Sequence, residues 1–185
     1  VFDFDDTLAQ SNSNVLYTMP DGTTGSLTAG EFALEASGLT ELGAEFDFSE
    51  FNEVKEGRKG PLADLAIKRQ GKFGSKDIFV LTARPQASDI NIKKFLDEIG
   101  LNIPLENITG LENGTAEAKA EWMVGKYADG YNDFYFADDA FKNVEAVRNV
   151  FDVLDIKSKV QQARVKFSEK LDVDFNDMIE RNMGV

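Results

Sequence analysis

Short apolar runs that end in polar or acidic residues recur along the chain, and segments with apolar residues at helical spacing separate them. The runs at residues 1–4, 77–82 and 133–138 are rich in aromatic and β-branched residues, which predicts buried strands. The segments between them predict amphipathic helices. Strands that alternate with helices predict an α/β fold, a Rossmann-like three-layer sandwich in which helices cover both faces of a central parallel sheet.

The segment after the first run predicts a small insertion between the first two strands. Two β-prone stretches, residues 15–19 and 23–27, flank a Pro-Asp-Gly turn, as in a β-hairpin. Thr28 then predicts a helix N-cap, and Glu31 completes a capping box. We expect residues 9–76 to contain this flap and at most a small cap.

The later segments predict further helices and strands. Pro61 suits the first position of a helix, Gly100 ends another helix, and a short strand is expected around Ile108. We also expect a fifth strand at residues 153–156 and a helical tail at residues 157–185. In the insertion, three side chains are expected to cover the core: Phe46, Phe48 and Phe51. In the helix after residue 115, five side chains are expected to face inward: Ala116, Ala120, Met123, Val124 and Tyr127.

The composition limits both the chemistry and the compartment. The chain has no cysteine and no histidine, which excludes disulfides, thiolate nucleophiles, imidazole bases and the usual zinc and iron sites. Its net charge of −13 argues against broad binding to nucleic acid, because such binding relies on Lys and Arg to displace phosphate counterions. No apolar run is long enough to span a membrane. We therefore expect a cytoplasmic protein. Any catalysis would use carboxylates, Lys, Ser or Thr and an oxygen-preferring metal such as Mg2+.

Two carboxylates at the end of the first strand are the first candidate site. Side chains two residues apart on a strand point to the same side, so Asp3 and Asp5 face one point. Two unpaired carboxylates about 4 Å apart repel by roughly 4 kcal/mol at an effective dielectric constant near 20. The pair is therefore expected to hold a cation or to share a proton.

The run Asp-Phe-Asp-Asp-Thr-Leu at residues 3–8 resembles the first motif of the haloacid dehalogenase (HAD) superfamily, in which a hydrophobic strand precedes Asp-x-Asp-x-Thr-Leu. The resemblance implies that Asp3 is a nucleophile and that Asp5 is a general acid and base. It gives Asp6 no chemical role. The second Asp of the motif favours a phosphatase over a dehalogenase, since the dehalogenases of the superfamily lack it.

Later residues match the remaining motifs in their order along the chain. Thr82 ends a hydrophobic strand, and the resemblance implies that its hydroxyl and the neighbouring backbone N–H hold phosphoryl oxygens. Lys119 lies 19 residues before Asp138, which fits the motif lysine that neutralises the nucleophile and the phosphate; Lys126 is the alternative. Arg84 is either a substrate-phosphate contact or part of a surface ion pair, because its planar fork suits both.

The fourth motif corresponds to the paired acids Asp138 and Asp139 at the end of a predicted apolar strand. Adjacent carboxylates at such a place are costly without a cation. The resemblance implies that Asp3, the backbone carbonyl of Asp5 and Asp138, with help from Asp139, hold Mg2+. It further implies that a phosphomonoester is hydrolysed in two steps, through an aspartyl-phosphate on Asp3.

The sequence leaves the substrate open among a nucleotide, a nucleic-acid end, a phosphoprotein and a small phosphate ester. Residues 79–85 and 131–139 also resemble HAD-like modules of tailed phages, which implies the host cytoplasm or the virion as the location. The alternative hypothesis is a HAD-fold binding or structural module within a longer protein, whether viral or not. Because the chain begins at a valine within a predicted strand, we expect preceding residues that are cleaved, disordered or simply unnumbered, and the sequence leaves open whether the chain is a fragment of a longer polypeptide. We expect residues 1–156 to form the core. The tail at 157–185 is expected to be either a helix that docks to another domain or subunit, or a linker into further sequence.

Overall fold

The structure is a computed structural model and describes residues 1–164. Within these residues the chain forms a mixed α/β structure with small sheets and five α-helices. None of these helices combines the length and the apolar character that a membrane crossing requires. The strands are β1 (Ala9–Gln10), β2 (Asn14–Thr18), β3 (Thr24–Thr28), β4 (Glu45–Asp47), β5 (Arg58–Lys59), β6 (Val80–Thr82), β7 (Ile108–Gly110), β8 (Asp133–Asp138) and β9 (Lys157–Gln162). The helices are α1 (Ala29–Glu41), α2 (Ala63–Phe73), α3 (Asp89–Glu98), α4 (Ala116–Ala128) and α5 (Phe141–Val153), with short 3-10 helices at Ser49–Asn52, Gln86–Ser88 and Leu105–Asn107.

Two parallel strand pairs carry the predicted site residues at their ends. β6 pairs with β7, and β8 pairs with β9. Residues 1–3 lie between the two pairs, since Phe2 forms parallel bridges to both Val80 and Ala137. Backbone hydrogen bonds of 2.9 to 3.1 Å join residues 1–3 to both neighbours. In place of the expected continuous central sheet, the structure has two small parallel sheets and isolated bridges, because residues 1–3 pair over a short length.

Hydrophobic clusters lie on the two faces of these parallel pairs. Successive residues of a strand point to opposite sides, so Val80 and Ala137 belong to one cluster while Leu81 and Phe136 belong to the other. Helices α2 and α3 complete the first cluster, and α4 and α5 complete the second. Close packing on both faces fixes the strand ends and the polar residues that follow them.

The predicted hairpin and its following helix are both present. β2 and β3 pair antiparallel with Val15 opposite Leu27, which confirms the hairpin. The Thr28 hydroxyl accepts the Glu31 N–H, and the Glu31 carboxylate accepts the Thr28 N–H, which confirms the capping box at the start of α1. Residues 14–53, which contain β2, β3, α1 and β4, are called the cap below.

The cap has a small aromatic core of its own. Phe32 of α1 packs edge-to-face against Phe46 and Phe48, with 5.4 Å between ring centroids in both pairs. Phe51 is buried beside Phe48. The phenylalanines that were expected to cover the main core therefore form a separate cluster within the cap.

Two helices differ in detail from the sequence-based expectations. α2 begins at Ala63, so Pro61 precedes the N-cap and does not occupy the first helical position. On α4, Val124 and Tyr127 are each 42% exposed, although the periodicity suggested that they face the core. Neighbouring elements therefore leave these two side chains of α4 partly uncovered.

The segment after α5 differs more. α5 continues to Val153, and residues 154–156 form a turn and a connection where a strand was expected. Residues 157–162 were expected to start a helical tail but form β9, because the edge of β8 supplies a parallel hydrogen-bonding partner. The remainder of the predicted tail, residues 165–185, and its expected docking lie outside the described residues.

We predict that Gly60→Ala destabilises the fold next to the first motif. A Cβ at Gly60 would lie 2.6 Å from the Thr7 carbonyl oxygen and 2.7 Å from the Ala9 nitrogen. The expected loss is about 2 kcal/mol of unfolding free energy, in the range for overpacking. Gly71→Ala on α2 is the matched control, because nothing lies within 4 Å of its added Cβ. This control should gain about 0.5 to 1 kcal/mol from helix propensity. Urea denaturation measures both, and equal midpoints would contradict the close approach.

Candidate functional site

Three polar side chains follow neighbouring parallel strands and meet at one edge. Asp3 follows the Phe2 bridge, Thr82 ends β6 and Asp138 ends β8. The carboxyl ends of parallel strands lie at the same edge, which is where α/β proteins commonly bind ligands. All three side chains are buried. The strand pairing therefore delivers polar groups from distant parts of the sequence to one interior location.

Lys119 brings a buried cation to the same place. Its Nζ lies 2.7 Å from Asp3 Oδ1 and 2.6 Å from Asp138 Oδ2, and the residue is 3% exposed. Thr115 caps α4, which starts the helix one turn before Lys119 and so aims the lysine inward. Lys126, the alternative from the sequence, instead pairs with Asp129 at 3.6 Å at the far end of α4.

Neutral donors hold the same two carboxylates. Thr7 Oγ1 donates to Asp3 Oδ2 at 3.3 Å. The Ala140 N–H donates to Asp138 Oδ1 at 2.9 Å, and Asn143 Nδ2 lies 3.1 to 3.2 Å from both oxygens of Asp138. Each carboxylate therefore accepts hydrogen bonds from a charged and a neutral donor, which fixes its orientation.

Asp139 adds a third carboxylate. One oxygen from each of Asp3, Asp138 and Asp139 lies within 4.8 Å of the other two. Oxygen ligands at such spacing are the type that Mg2+ and Ca2+ prefer. Asp3, Lys119, Asp138 and Asp139 are called the carboxylate centre below.

Burial and like charge dominate the electrostatics of the carboxylate centre. Loss of hydration and the Asp138 carboxylate raise the pKa of Asp3 to about 7, against the opposing effect of Lys119. Burial and the carboxylates of Asp3 and Asp138 raise the pKa of Asp139 to about 9. Burial by itself would lower the pKa of Lys119, but the two carboxylates outweigh it and raise that pKa above its ordinary value. One ammonium does not balance three carboxylates, so the centre favours a further proton or cation.

A cavity of about 40 Å³ opens at the carboxylate centre. Asp5 also lines it, so the structure gathers the sequence-predicted acids around one space, and Asp6, for which no role was predicted, lines it as well. The cap supplies an apolar wall that includes Phe32 and Phe51. A larger cavity of about 480 Å³ next to Val1 is lined by Lys126, the alternative to Lys119, and by no other site residue predicted from the sequence.

Of residues 82–84, Ala83 lines the cavity, whereas Thr82 and Arg84 lie beside it. The Thr82 hydroxyl accepts the backbone N–H of Arg84 at 3.2 Å. The Arg84 guanidinium is fully buried and forms a bidentate ion pair with Asp5, at 2.9 and 2.7 Å. Its environment therefore differs from both sequence-based interpretations, a substrate contact and a surface ion pair.

Several residues at the site received no predicted role from the sequence. Thr7 and Asn143 had a signal, since Thr7 lies within the first motif and Asn143 lies in the first turn of α5 after the paired acids. Phe32 and Phe51 had none. Their place at the cavity depends on how the cap packs against the rest of the molecule, which no local pattern encodes.

Comparisons of the chain with protein-family models, with curated proteins and with solved structures found no match.

We predict that Lys119→Met destabilises the protein strongly, because it leaves two buried carboxylates without their cation. Removing one partner of a buried ion pair costs about 3 to 5 kcal/mol. Lys126→Met on the same helix is the matched control, since its partner Asp129 is exposed and such pairs contribute about 1 kcal/mol or less. Chemical denaturation at pH 8 in EDTA measures both losses. A loss for Lys119→Met no larger than that for Lys126→Met would contradict the account of the centre.

We also predict that the metal-free protein loses stability as pH rises. The pKa of Asp139 is about 9 in the folded protein, whereas its ordinary value, which applies to the unfolded state, is 3.8. The folded state therefore holds this proton more tightly than the unfolded state. The stabilisation is complete below the unfolded pKa and is lost as pH rises through the folded pKa. Thermal denaturation in EDTA should therefore show a falling midpoint from pH 5 to pH 9.

Asp139→Asn removes this titration. At pH 9 the free energy of unfolding of the variant should exceed that of the wild type by at least about 1 kcal/mol, roughly the value of one pKa unit. Asp152→Asn on the exposed face of α5 is the control and should follow the wild-type curve. A wild-type midpoint that rises over this pH interval, or an Asp139→Asn variant that stays below it at pH 9, would contradict the assignment.

Proposed function

We propose that the chain is a Mg2+-dependent phosphomonoester hydrolase of the HAD type that acts through an aspartyl-phosphate on Asp3. The observation that carries this proposal is the buried Lys119 ammonium between Asp3 and Asp138, with Asp139 beside them. Buried ion pairs are poor devices for stability, because the loss of hydration offsets much of the attraction. A centre with excess negative charge is explained if a cation and an anionic phosphoryl group complete it.

The proposed fold is a HAD-like core in which residues 1–3 and the two parallel pairs act as one central sheet. Three features support it. Phe2 bridges both pairs in the parallel sense, helices contribute to clusters on both faces, and the acidic residues follow the strand ends. The cap then corresponds to the small insertion that follows the first motif.

The residues at the centre fit a divalent cation that prefers oxygen. Asp3, Asp138 and Asp139 offer three carboxylate oxygens at mutually short distances. Asn143 Oδ1 is buried beside them without a hydrogen-bond partner among the described residues, so an oxygen is available there for a cation or for its water. In this proposal the three aspartates hold Mg2+, and the Asp5 backbone carbonyl contributes as the motif implies. When bound, Mg2+ supplies the positive charge that lets the carboxylates and a phosphate share one site.

The chain's own residues perform two displacements. An Asp3 carboxylate oxygen attacks phosphorus, the bond from phosphorus to the ester oxygen breaks, and Asp5 gives its proton to the departing oxygen. A water then attacks the phosphoryl group, Asp5 takes the proton of that water, and the bond from phosphorus to Asp3 breaks. Inorganic phosphate and the free Asp3 carboxylate result.

Two other side chains and one backbone N–H stabilise the transferring group. Lys119 neutralises charge on Asp3 and on the phosphoryl oxygens, and its 2.7 Å contact with Asp3 supports this role. Thr82 and the adjoining backbone N–H of Ala83 complete the phosphoryl site, since Ala83 borders the cavity. Arg84 is left out of this step, because its donors are engaged with Asp5 and with backbone oxygens.

The surroundings favour a small phosphate ester among the substrates that the sequence left open. Lys119 is the one cation in the lining of the cavity within residues 1–164, and the cap wall is apolar. A nucleic-acid end would bring neighbouring phosphates that require additional cations. A small phosphate ester whose alcohol part packs against Phe32 and Phe51 needs no additional cations.

We predict that the protein releases phosphate from p-nitrophenyl phosphate with Mg2+ and not with EDTA. Asp3→Asn should lower kcat by at least about 10³-fold, as expected when a nucleophile is removed. Asp64→Asn is the matched control, because Asp64 lies in the first turn of α2 and forms an exposed ion pair with Lys59. It should keep wild-type activity.

Wild-type protein that releases no phosphate from aryl phosphates, sugar phosphates, nucleotides or phosphopeptides with Mg2+ would contradict the hydrolase. That result would instead favour the binding or structural module. Activity that persists in Asp3→Asn would contradict the assignment of the nucleophile.

A further inference from the structure

Arg84 is a fully buried cation that the proposed chemical steps do not use. Its Nε and Nη2 donate to the two oxygens of Asp5, at 2.9 and 2.7 Å. Nη2 also donates to Ser11 Oγ at 3.1 Å, and Nη1 donates to the carbonyl oxygens of Phe51 and Glu53, at 3.0 and 2.7 Å. Each of the five N–H groups of the guanidinium therefore has an acceptor.

This geometry constrains Asp5 more than a simple charge would. Two parallel N–H···O bonds fix both the direction and the plane of a carboxylate. The Arg84 guanidinium is itself held from the other side by the backbone of the cap, and it lies over the rings of Phe4 and Phe51 at 5.1 and 4.5 Å. Asp5 therefore has a fixed orientation at the rim of the cavity, where 17% of its side chain is exposed.

The geometry points to Arg84 as a positioning residue that orients the Asp5 carboxylate for proton transfer and links that orientation to the cap. The inference rests on the proposed function, in which Asp5 exchanges a proton with the departing oxygen and with water. Arg84 acts through Asp5 and contacts neither substrate nor metal. Lysine cannot replace it, because one ammonium does not reproduce a planar fork that spans Asp5 and two backbone carbonyls.

A role through the general acid has a signature that a purely structural role lacks. Nitrophenolate departs without a proton, whereas phenolate, a stronger base, needs one. We expect Arg84→Lys to lower kcat for phenyl phosphate by about 10²-fold, the low end of general acid catalysis, and kcat for p-nitrophenyl phosphate by far less. KM should change by less than about threefold for both substrates, since Arg84 makes no contact with substrate.

The test uses the Mg2+-loaded protein and compares the ratio of the two kcat values. Asp5→Asn should shift the ratio in the same direction, and adding Arg84→Lys to Asp5→Asn should shift it no further. Arg69→Lys is the matched control, because Arg69 lies over the Tyr135 ring away from the carboxylate centre. It should leave the ratio unchanged.

A second variant covers the case in which Arg84→Lys fails to fold. Ser11→Ala keeps the guanidinium but removes one acceptor from Nη2, the nitrogen that also binds Asp5. It should shift the ratio by a few fold in the same direction. A shift in these variants supports the positioning role. Equal losses on both substrates, an unchanged ratio, or a further shift in the double variant would overturn it. A wild-type protein inactive on both substrates would instead refute the proposed function, and the inference would fall with it.

Discussion

The contact of the Lys119 ammonium with Asp3 and Asp138 is the interaction on which the rest of the site depends. It joins residues 116 and 19 positions apart in the chain, and all three side chains are buried. An unpaired charge at this depth would cost several kcal/mol, so the strands and α4 have to deliver acids and lysine to the same place. The lysine does not complete the balance, because Asp139 adds a third carboxylate whose pKa rises to about 9. In the proposed function, the remaining negative charge is what a bound cation would neutralise.

A second buried ion pair lies close to that of Lys119 and involves a different carboxylate. Arg84 binds Asp5, whereas Lys119 binds Asp3 and Asp138. The two acids of the first motif thus have separate cations with different geometry. Lysine supplies a point charge, which suits the exchange of partners that the proposed reaction requires of Asp3. Arginine supplies a rigid fork, which suits a group that has to keep its orientation. In a chain without histidine or cysteine, such pairings are one means of giving carboxylates different environments.

Much of the site could be predicted from the sequence because its residues sit at the ends of apolar runs. Strand ends are local features, and the parallel arrangement brings them together, so Asp3, Asp138 and Asp139 could be named in advance as one cluster. The hairpin and the capping box were predictable for the same reason, since turn residues and the Thr28 to Glu31 spacing are local.

What could not be predicted depends on tertiary packing. The partners of Arg84 come from residues 5, 11, 51 and 53, and only the folded cap brings them within reach. The helical pattern after residue 157 was overridden by the open edge of β8, which stabilises a strand. Phe46 and Phe48 pack against Phe32 within the cap, although their alternation alone indicated only that they would be buried.

The central claim is that the carboxylate centre holds a divalent cation and presents Asp3 as a nucleophile. A crystal structure of the protein soaked with Mg2+ and BeF3 tests it most directly, because beryllium fluoride mimics a phosphoryl group bonded to a carboxylate. The account predicts a beryllium bonded to an Asp3 oxygen and a metal ion bound by Asp3, Asp138 and Asp139, with Lys119 at a fluoride. Well-ordered crystals in which the three aspartates bind no metal and Asp3 carries no adduct would contradict it.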